Sequence, residues 1–162
     1  MATVEKSVEV SVPVRTAYNQ WTQFEEFPRF MDGVEEIKQL DDKRLHWRAR
    51  VGGKLQEWDA EITEQVPDQR VAWRSTSGDE NFGVVTFHSI DPMLTRIVLR
   101  LEYTPEGALE HFGDALGVLD HRVQADLKRF KDYIETRGSA SGGWRGTIQD
   151  DTAPAESPDT RP

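Results

Sequence analysis

Four histidines, at positions 46, 88, 111 and 121, and a row of alternating carboxylates, Glu57, Asp59 and Glu61, are the side chains best equipped to move protons or hold a metal. Neither set has the spacing that such chemistry needs. Two ligands on one helix face lie three or four residues apart; no pair of these histidines does, and there is no HExxH string. Cysteine is absent, which removes thiolate ligands, thiol nucleophiles and disulfides. No GxSxG, P-loop or GxGxxG string occurs, so hydrolase, nucleotidase and dinucleotide-binding readings lack support. The histidines read as solvated or surface-paired groups, with a pocket-edge acid or base near His111 as the alternative. No catalytic residue is identified, and neither a metal nor a cofactor is expected.

What remains is aromatic, and its meaning depends on the elements that position it. The stretch 104–137 reads as one long amphipathic helix. Leu109, Phe112, Leu116, Leu119, Val123, Leu127, Phe130 and Ile134 recur at spacings of three and four, the stripe of a 3.6-residue period. Thr104-Pro105-Glu106 is a start signal and Gly138 a stop. Gly113 and Gly117 interrupt it, either bending the helix or leaving room beside it.

At the other end, residues 3–12 alternate as a half-buried strand with Val4, Val8, Val10 and Val12 on one side and Lys6 as the exception. Two short helices follow, one from Pro13 to about Gln20 and one from a capping box at Thr22–Glu25, with Pro28 restarting the turn and Gly33 ending the unit.

Strands fill the middle. Gly52-Gly53 suits a two-residue hairpin turn, which sets Val51 opposite Lys54. Counting back pairs Trp47 with Trp58, Leu45 with Ala60 and Ala49 with Gln56 on one face. The other face pairs Arg48 with Glu57, His46 with Asp59 and Arg44 with Glu61, so the carboxylate row reads as a solvated charge ladder. Pro67-Asp68 makes the next turn and sets Ile62 opposite Trp73, Ala60 opposite Ser75 and Glu61 opposite Arg74. Two independent turns thus give one inner face. Strand 82–90 has mixed parity; Gly83, Val85 and Phe87 are assigned inward. In strand 94–103, Ile97, Leu99, Leu101 and Tyr103 point in.

The expected architecture is α+β. A curved antiparallel sheet of about seven strands surrounds a long C-terminal helix, with two short helices after the first strand, in one domain over 1–137. Residues 138–162, rich in Gly, Ser, Asp and Pro, read as a flexible tail. Trp144, Arg145 and Ile148 interrupt it. They are either a stray apolar spot or a short docking segment for this protein or another. The formal net charge of −9, with 29 acids against 20 bases, argues against nucleic acid and against an anionic membrane surface. No signal-like N-terminus and no apolar run of spanning length occurs, so the expected location is the cytoplasm, with no stable membrane insertion.

The strings Val12-Pro13-Val14-Arg15-Thr16-Ala17-Tyr18, Trp21 through Met31, Val71-Ala72-Trp73-Arg74-Ser75 and Gly83-Val84-Val85-Thr86-Phe87, with the terminal helix, resemble the START-like (SRPBCC) superfamily. The closer likeness is to its polyketide cyclase/dehydrase branch, which includes coenzyme Q-binding proteins. The resemblance covers about 1–137 and implies a helix-grip fold that takes an apolar or amphipathic molecule between sheet and helix. None of these strings is a catalytic signature.

The pocket lining expected on these grounds is Trp47, Gln56, Trp58, Trp73, Ser75, Phe87 and Tyr103 from the sheet, and Phe112 and Leu116 from the helix, with Phe30 and Arg29 at the mouth. Three functions stay open. One is binding of a hydrophobic or aromatic molecule, lipid-, quinone- or polyketide-like. Another is a polyketide aromatase/cyclase-dehydratase. The third is a non-catalytic scaffold that docks a protein partner through Trp144. Ligand identity and oligomeric state stay undetermined by the sequence.

Overall fold

Period-two alternation and turn residues build the sheet, and period 3.6 builds the helix that covers it. The computed structural model describes residues 2–51, 53–78, 80–103 and 115–149. Strand β1 (Ala2–Val10) leads to helix α1 (Val14–Trp21) and a 3-10 helix (Phe24–Arg29). Strands β2 (Val34–Gln39), β3 (Arg44–Val51), β4 (Lys54–Val66), β5 (Arg70–Ser75), β6 (Asn81–Asp91) and β7 (Leu94–Tyr103) follow, then helix α2 (Ala115–Arg137). All seven strands join in one antiparallel sheet in the order β1-β7-β6-β5-β4-β3-β2. The order and type of elements are those read from the sequence. The expected helix start at Thr104–Glu106, together with Leu109, His111, Phe112 and Gly113, lies outside the described residues.

The strand registers follow from the turns. Across β3 and β4, Val51 pairs with Lys54, Trp47 with Trp58, Leu45 with Ala60 and Arg44 with Glu61. Across β4 and β5, Ile62 pairs with Trp73 and Ala60 with Ser75. In β6, Gly83, Val85 and Phe87 are the buried set. Two local expectations fail. β1 ends at Val10, before Val12. The capping box does not form: Gln23 is the residue before the 3-10 helix, no side chain caps it, and Pro28 lies within it. The Thr22 hydroxyl is turned back instead and donates to the Asn19 carbonyl at 2.6 Å.

The core lies between the inner sheet face and α2. Val123, Leu127, Phe130 and Ile134 are buried along one helix face. Phe130 is wedged edge-on between Trp21 and Phe30, with ring centroids 5.1 and 5.0 Å away. Gly138 ends the helix with φ of +70°, and its N–H returns to the Ile134 carbonyl at 2.8 Å.

The outer sheet face is charged; His46–Asp59 and Glu61–Arg74 pair in register, while Arg44 and Arg48 leave their expected partners. His46 holds two carboxylates, Nδ1 to Asp59 at 2.7 Å and Nε2 to Glu57 at 2.9 Å. Arg48, opposite Glu57 in register, reaches toward Glu35 on β2 instead, at 3.7 Å. Arg44 pairs with Asp41 and Glu61 with Arg74. Long side chains choose among several neighbours within reach, so register alone does not decide partners.

The segment after α2 departs most from expectation. Residues 139–149 lie on the domain. The Gln20 side chain donates to Ser141 Oγ at 3.1 Å and accepts the Ser141 N–H at 2.8 Å. Trp144 N–H donates to Thr22 Oγ1 at 3.0 Å. Ile148 is buried and exchanges backbone hydrogen bonds with Gln65, at 2.8 and 2.9 Å. The reason is geometric. β3 begins at Arg44, opposite Glu61, while β4 runs on to Val66, which leaves one edge of β4 open at Gln65. A composition rich in Gly and Ser does not by itself prevent docking when an unpaired edge and buried polar side chains await it.

Replacing Phe130 by alanine is expected to destabilise the fold by about 3–5 kcal/mol, read from chemical denaturation. Hydrogen bonds to Asp59 and then Glu57 raise the His46 pKa above its ordinary value near 6.5. Its contribution is therefore complete below that value and is lost as pH rises through the folded-state pKa. The melting-temperature gap between the parent and His46→Gln should be wider at pH 5.5 than at pH 8.5. The effect should be small, within the ~0–1 kcal/mol of an exposed pair.

Candidate functional site

Between the sheet and α2 the described residues enclose a cavity of about 220 Å³. The sheet contributes Trp47 from β3, Gln56 and Trp58 from β4, Trp73 from β5, and Leu101 and Tyr103 from β7. The short helices contribute Trp21, Phe24, Phe27 and Met31; α2 contributes Arg122, Val123, Asp126 and Leu127. Glu57, Glu80 and Asn81 add polar groups to the lining. Trp47, Trp58 and Trp73 are only half-buried, unlike the fully buried aromatics beneath α2. Trp47 and Trp58 stack across the strand pair, 5.7 Å between centroids and 8° from parallel. Trp73 lies flat against β6 because its cross-strand neighbour is Gly83; a Cβ there would stand 2.6 Å from the indole.

Five of the expected lining residues meet here: Trp47, Gln56, Trp58, Trp73 and Tyr103. Four do not. Ser75 is occupied by the β5–β6 turn, accepting the Asn81 N–H at 3.0 Å. Phe87 is core, edge-on to Tyr18 and Trp21. Phe30 is core between Phe27, Phe130 and Tyr133. Arg29 is exposed and paired with Glu26, because a three-residue turn puts Phe24, Phe27 and Phe30 on one side and residues 26 and 29 on another. Phe112 lies outside the described residues, and Leu116 is described only as backbone in the first turn of α2. His46 and His88 lie on the sheet's outer side and His121 is exposed on α2, so none of these three lines the cavity.

The polar groups in the cavity wall matter most, because each is costly to bury alone. The Tyr103 hydroxyl and the Trp47 Nε1 are buried with no hydrogen-bond partner in the protein. Burial raises the Tyr103 pKa. Asp126 is 8% exposed. Its carboxylate accepts the Asp32 N–H at 3.1 Å and a hydrogen bond from Arg129 at 2.5 Å. Burial nonetheless raises its pKa, against the Arg129 hydrogen bond and the Arg122 and Arg129 charges. Arg122 donates to the Arg50 carbonyl at 2.6 Å, which ties α2 to the end of β3. Sequence reasoning missed both Asp126 and Arg122. The signal was present: Asp126 stands three residues after Val123 and four before Phe130, on the apolar stripe itself. Among the described residues, no three His, Cys, Asp or Glu gather as a metal site. No helix among them is long and apolar enough to cross a membrane.

Comparison with known proteins places this architecture. A family model described as polyketide cyclase/dehydrase and lipid transport matches residues 10–132. An uncharacterized 17.2 kDa protein from the melC2-rnhH intergenic region of Streptomyces lincolnensis is 52% identical over 149 residues, spanning 91% of this chain and 99% of that one. Among solved structures, the Zhui aromatase/cyclase of a Streptomyces species superposes with a TM-score of 0.75 at 18% identity, over 88% of this chain and 99% of that one. A START superfamily protein from Mycobacterium smegmatis gives 0.67 at 14% identity, over 83% and 95%. At these identities the two structures establish the fold: a curled seven-stranded sheet gripping a C-terminal helix.

Gly83→Ala should drive the Trp73 indole into the cavity. The variant is expected to lose about 1–3 kcal/mol of stability through overpacking and to bind bulky apolar probes less well than small ones. Denaturation and fluorescence titration check the two effects separately.

Proposed function

The chain belongs to the polyketide cyclase/dehydrase and lipid-transport family, and on that footing we propose that it binds a hydrophobic or aromatic small molecule in the cavity between sheet and α2. Membership supports a hydrophobic-ligand or cyclase role without naming a substrate. The observation that carries the proposal is the pairing of half-buried tryptophans with two unpartnered donors, Trp47 Nε1 and the Tyr103 hydroxyl, in one apolar wall. Flat indole faces favour a flat or polarisable guest. The two donors favour one with oxygen acceptors, since a buried donor left unpaired costs about 1–3 kcal/mol. A quinone-like or polyketide-like molecule meets both conditions better than a saturated chain. Trp47, Gln56, Trp58, Trp73 and Tyr103 are the proposed ligand contacts.

A second reading rests on Asp126. It is buried in the cavity wall beside two arginines, and its raised pKa keeps a proton on it at higher pH than an ordinary aspartate would. Such a group can pass a proton to or from a carbon next to a carbonyl, which a cyclase/dehydratase requires; a positioned acid or base contributes about 10²–10⁴ in rate. Docking of a separate protein through Trp144 has no observation of this kind behind it: its backbone N–H bonds Thr22 and its side chain packs partly against the core of its own domain.

Native mass spectrometry of the purified protein and quenching of tryptophan emission by 1,4-naphthoquinone test the first reading. Saturable one-to-one binding, weakened in Tyr103→Phe without loss of stability, is expected. Absence of saturable binding together with no co-purifying apolar molecule would overturn it. Turnover of a poly-β-ketone that disappears in Asp126→Asn, with affinity kept, would establish the enzyme; a parent that binds without turnover would make the protein a carrier or sensor.

A further inference from the structure

We propose that residues 139–149 form a strap that sets the position of α1 and the 3-10 helix and thereby the shape of the cavity, an inference that rests on the ligand-binding reading above. The short helices are packed on the core from one side only and have no side-chain N-caps of their own. α1 has eight residues, no side-chain N-cap and no acid in its first turn, and a helix of that length is marginal in water without packing. The 3-10 helix has no side-chain cap either. Yet Trp21, Phe24 and Phe27 from this stretch form one side of the cavity.

The other side of the same stretch meets the strap. Asn19 Oδ1 accepts from Arg145 at 2.6 Å, Gln20 exchanges two hydrogen bonds with Ser141, and Thr22 accepts the Trp144 N–H. Gln20 and Thr22 are buried by this arrangement. Within residues 19–24, Trp21 and Phe24 line the cavity while Asn19, Gln20 and Thr22 hold the strap, so a shift of the strap is a shift of the wall. Gly142 and Gly143 make the approach close. A Cβ on either would fall 2.7 Å from the Gln23 or Asn19 side chain.

The strap is also anchored away from α1. Arg145 bonds Asp68 in the β4–β5 turn at 2.8 Å, and its guanidinium lies 5.5 Å over the Tyr18 ring. Ile148 closes the backbone bridge to Gln65. Arg145 thus cross-links the turn to α1 and acts as a positioning residue without reaching the cavity. Tying a wall to the sheet removes freedom that binding would otherwise have to remove, which favours a guest matched to the tied shape.

The test compares the full chain with Arg145→Ala, Arg145→Lys, a chain ended after Gln149 and a chain ended after Gly138. Each is titrated with 2-naphthol and with the bulkier pyrene well below its melting temperature, and each is melted. Arg145→Ala and the chain ended after Gly138 are expected to bind 2-naphthol about ten-fold more weakly while pyrene binding changes little, because a preorganised wall is lost. Arg145→Lys should restore part of the ratio, and ending the chain after Gln149 should leave it unchanged. If the chain ended after Gly138 does not fold, Arg145→Ala decides. A lowered melting temperature with an unaltered ratio in Arg145→Ala would reduce the strap to a structural staple and overturn the inference. Failure of the parent to bind either probe would overturn the ligand-binding reading, and the inference with it.

Discussion

A single helix cannot cover a seven-stranded sheet. Strands spaced about 4.8 Å apart make a sheet roughly 30 Å wide, and a helix with its side chains is about 10–12 Å across. The sheet must curl around the helix and still leaves apolar face uncovered. Here α2 lies against β1, and its Phe130 packs on Trp21 and Phe30 of the short-helix stretch. The uncovered flank is β3–β5, where Trp47, Trp58 and Trp73 stand half-buried. They are large enough to reach across the gap and too few to close it. The cavity is what remains, walled on its open flank by the short helices.

That constraint also explains why polar groups gather there. A side chain on the helix stripe ordinarily meets the sheet; at Asp126 it meets the edge of the cavity and the Asp32 backbone instead. The acid is tolerated because Arg129 satisfies it and because a backbone N–H needs an acceptor at that point. Arg122, one turn earlier, spends its guanidinium on the Arg50 carbonyl and so joins helix to strand where packing is thin. The same shortage of apolar contact that creates the cavity leaves room for charges able to act on what enters it.

The outer face serves a different purpose. Its arginines and carboxylates pair across β1–β7, β2–β3 and β4–β5, giving a sheet with one wet side whose register cannot slip without burying charge. The segment after α2 then ties α1 to the β4–β5 turn from outside. Cavity, short helices and strap are in this sense three successive layers, each held by the next.

Much of the fold was legible in the sequence because strand and helix periods are local. The Gly52-Gly53 and Pro67-Asp68 turns set two registers by counting, and their agreement on one inner face identified Trp47, Trp58 and Trp73 as a set. The parity of β6 was mixed in the sequence, and the structure decided it by seating Gly83 opposite Trp73. Tertiary structure alone decided which inward aromatics line space and which fill core, because that depends on where the helix lies over the sheet: Phe87 and Phe30 fall beneath α1 and α2, and Trp73 does not. It also decided the partners of long charged side chains, which reach several neighbours at similar distance. Docking of the Trp144–Ile148 segment was one of two readings of the sequence, but where it docks was hidden for a related reason. Its seats, the open edge at Gln65 and the buried amide of Gln20, come into being only when residues more than eighty and one hundred and twenty positions away are folded together.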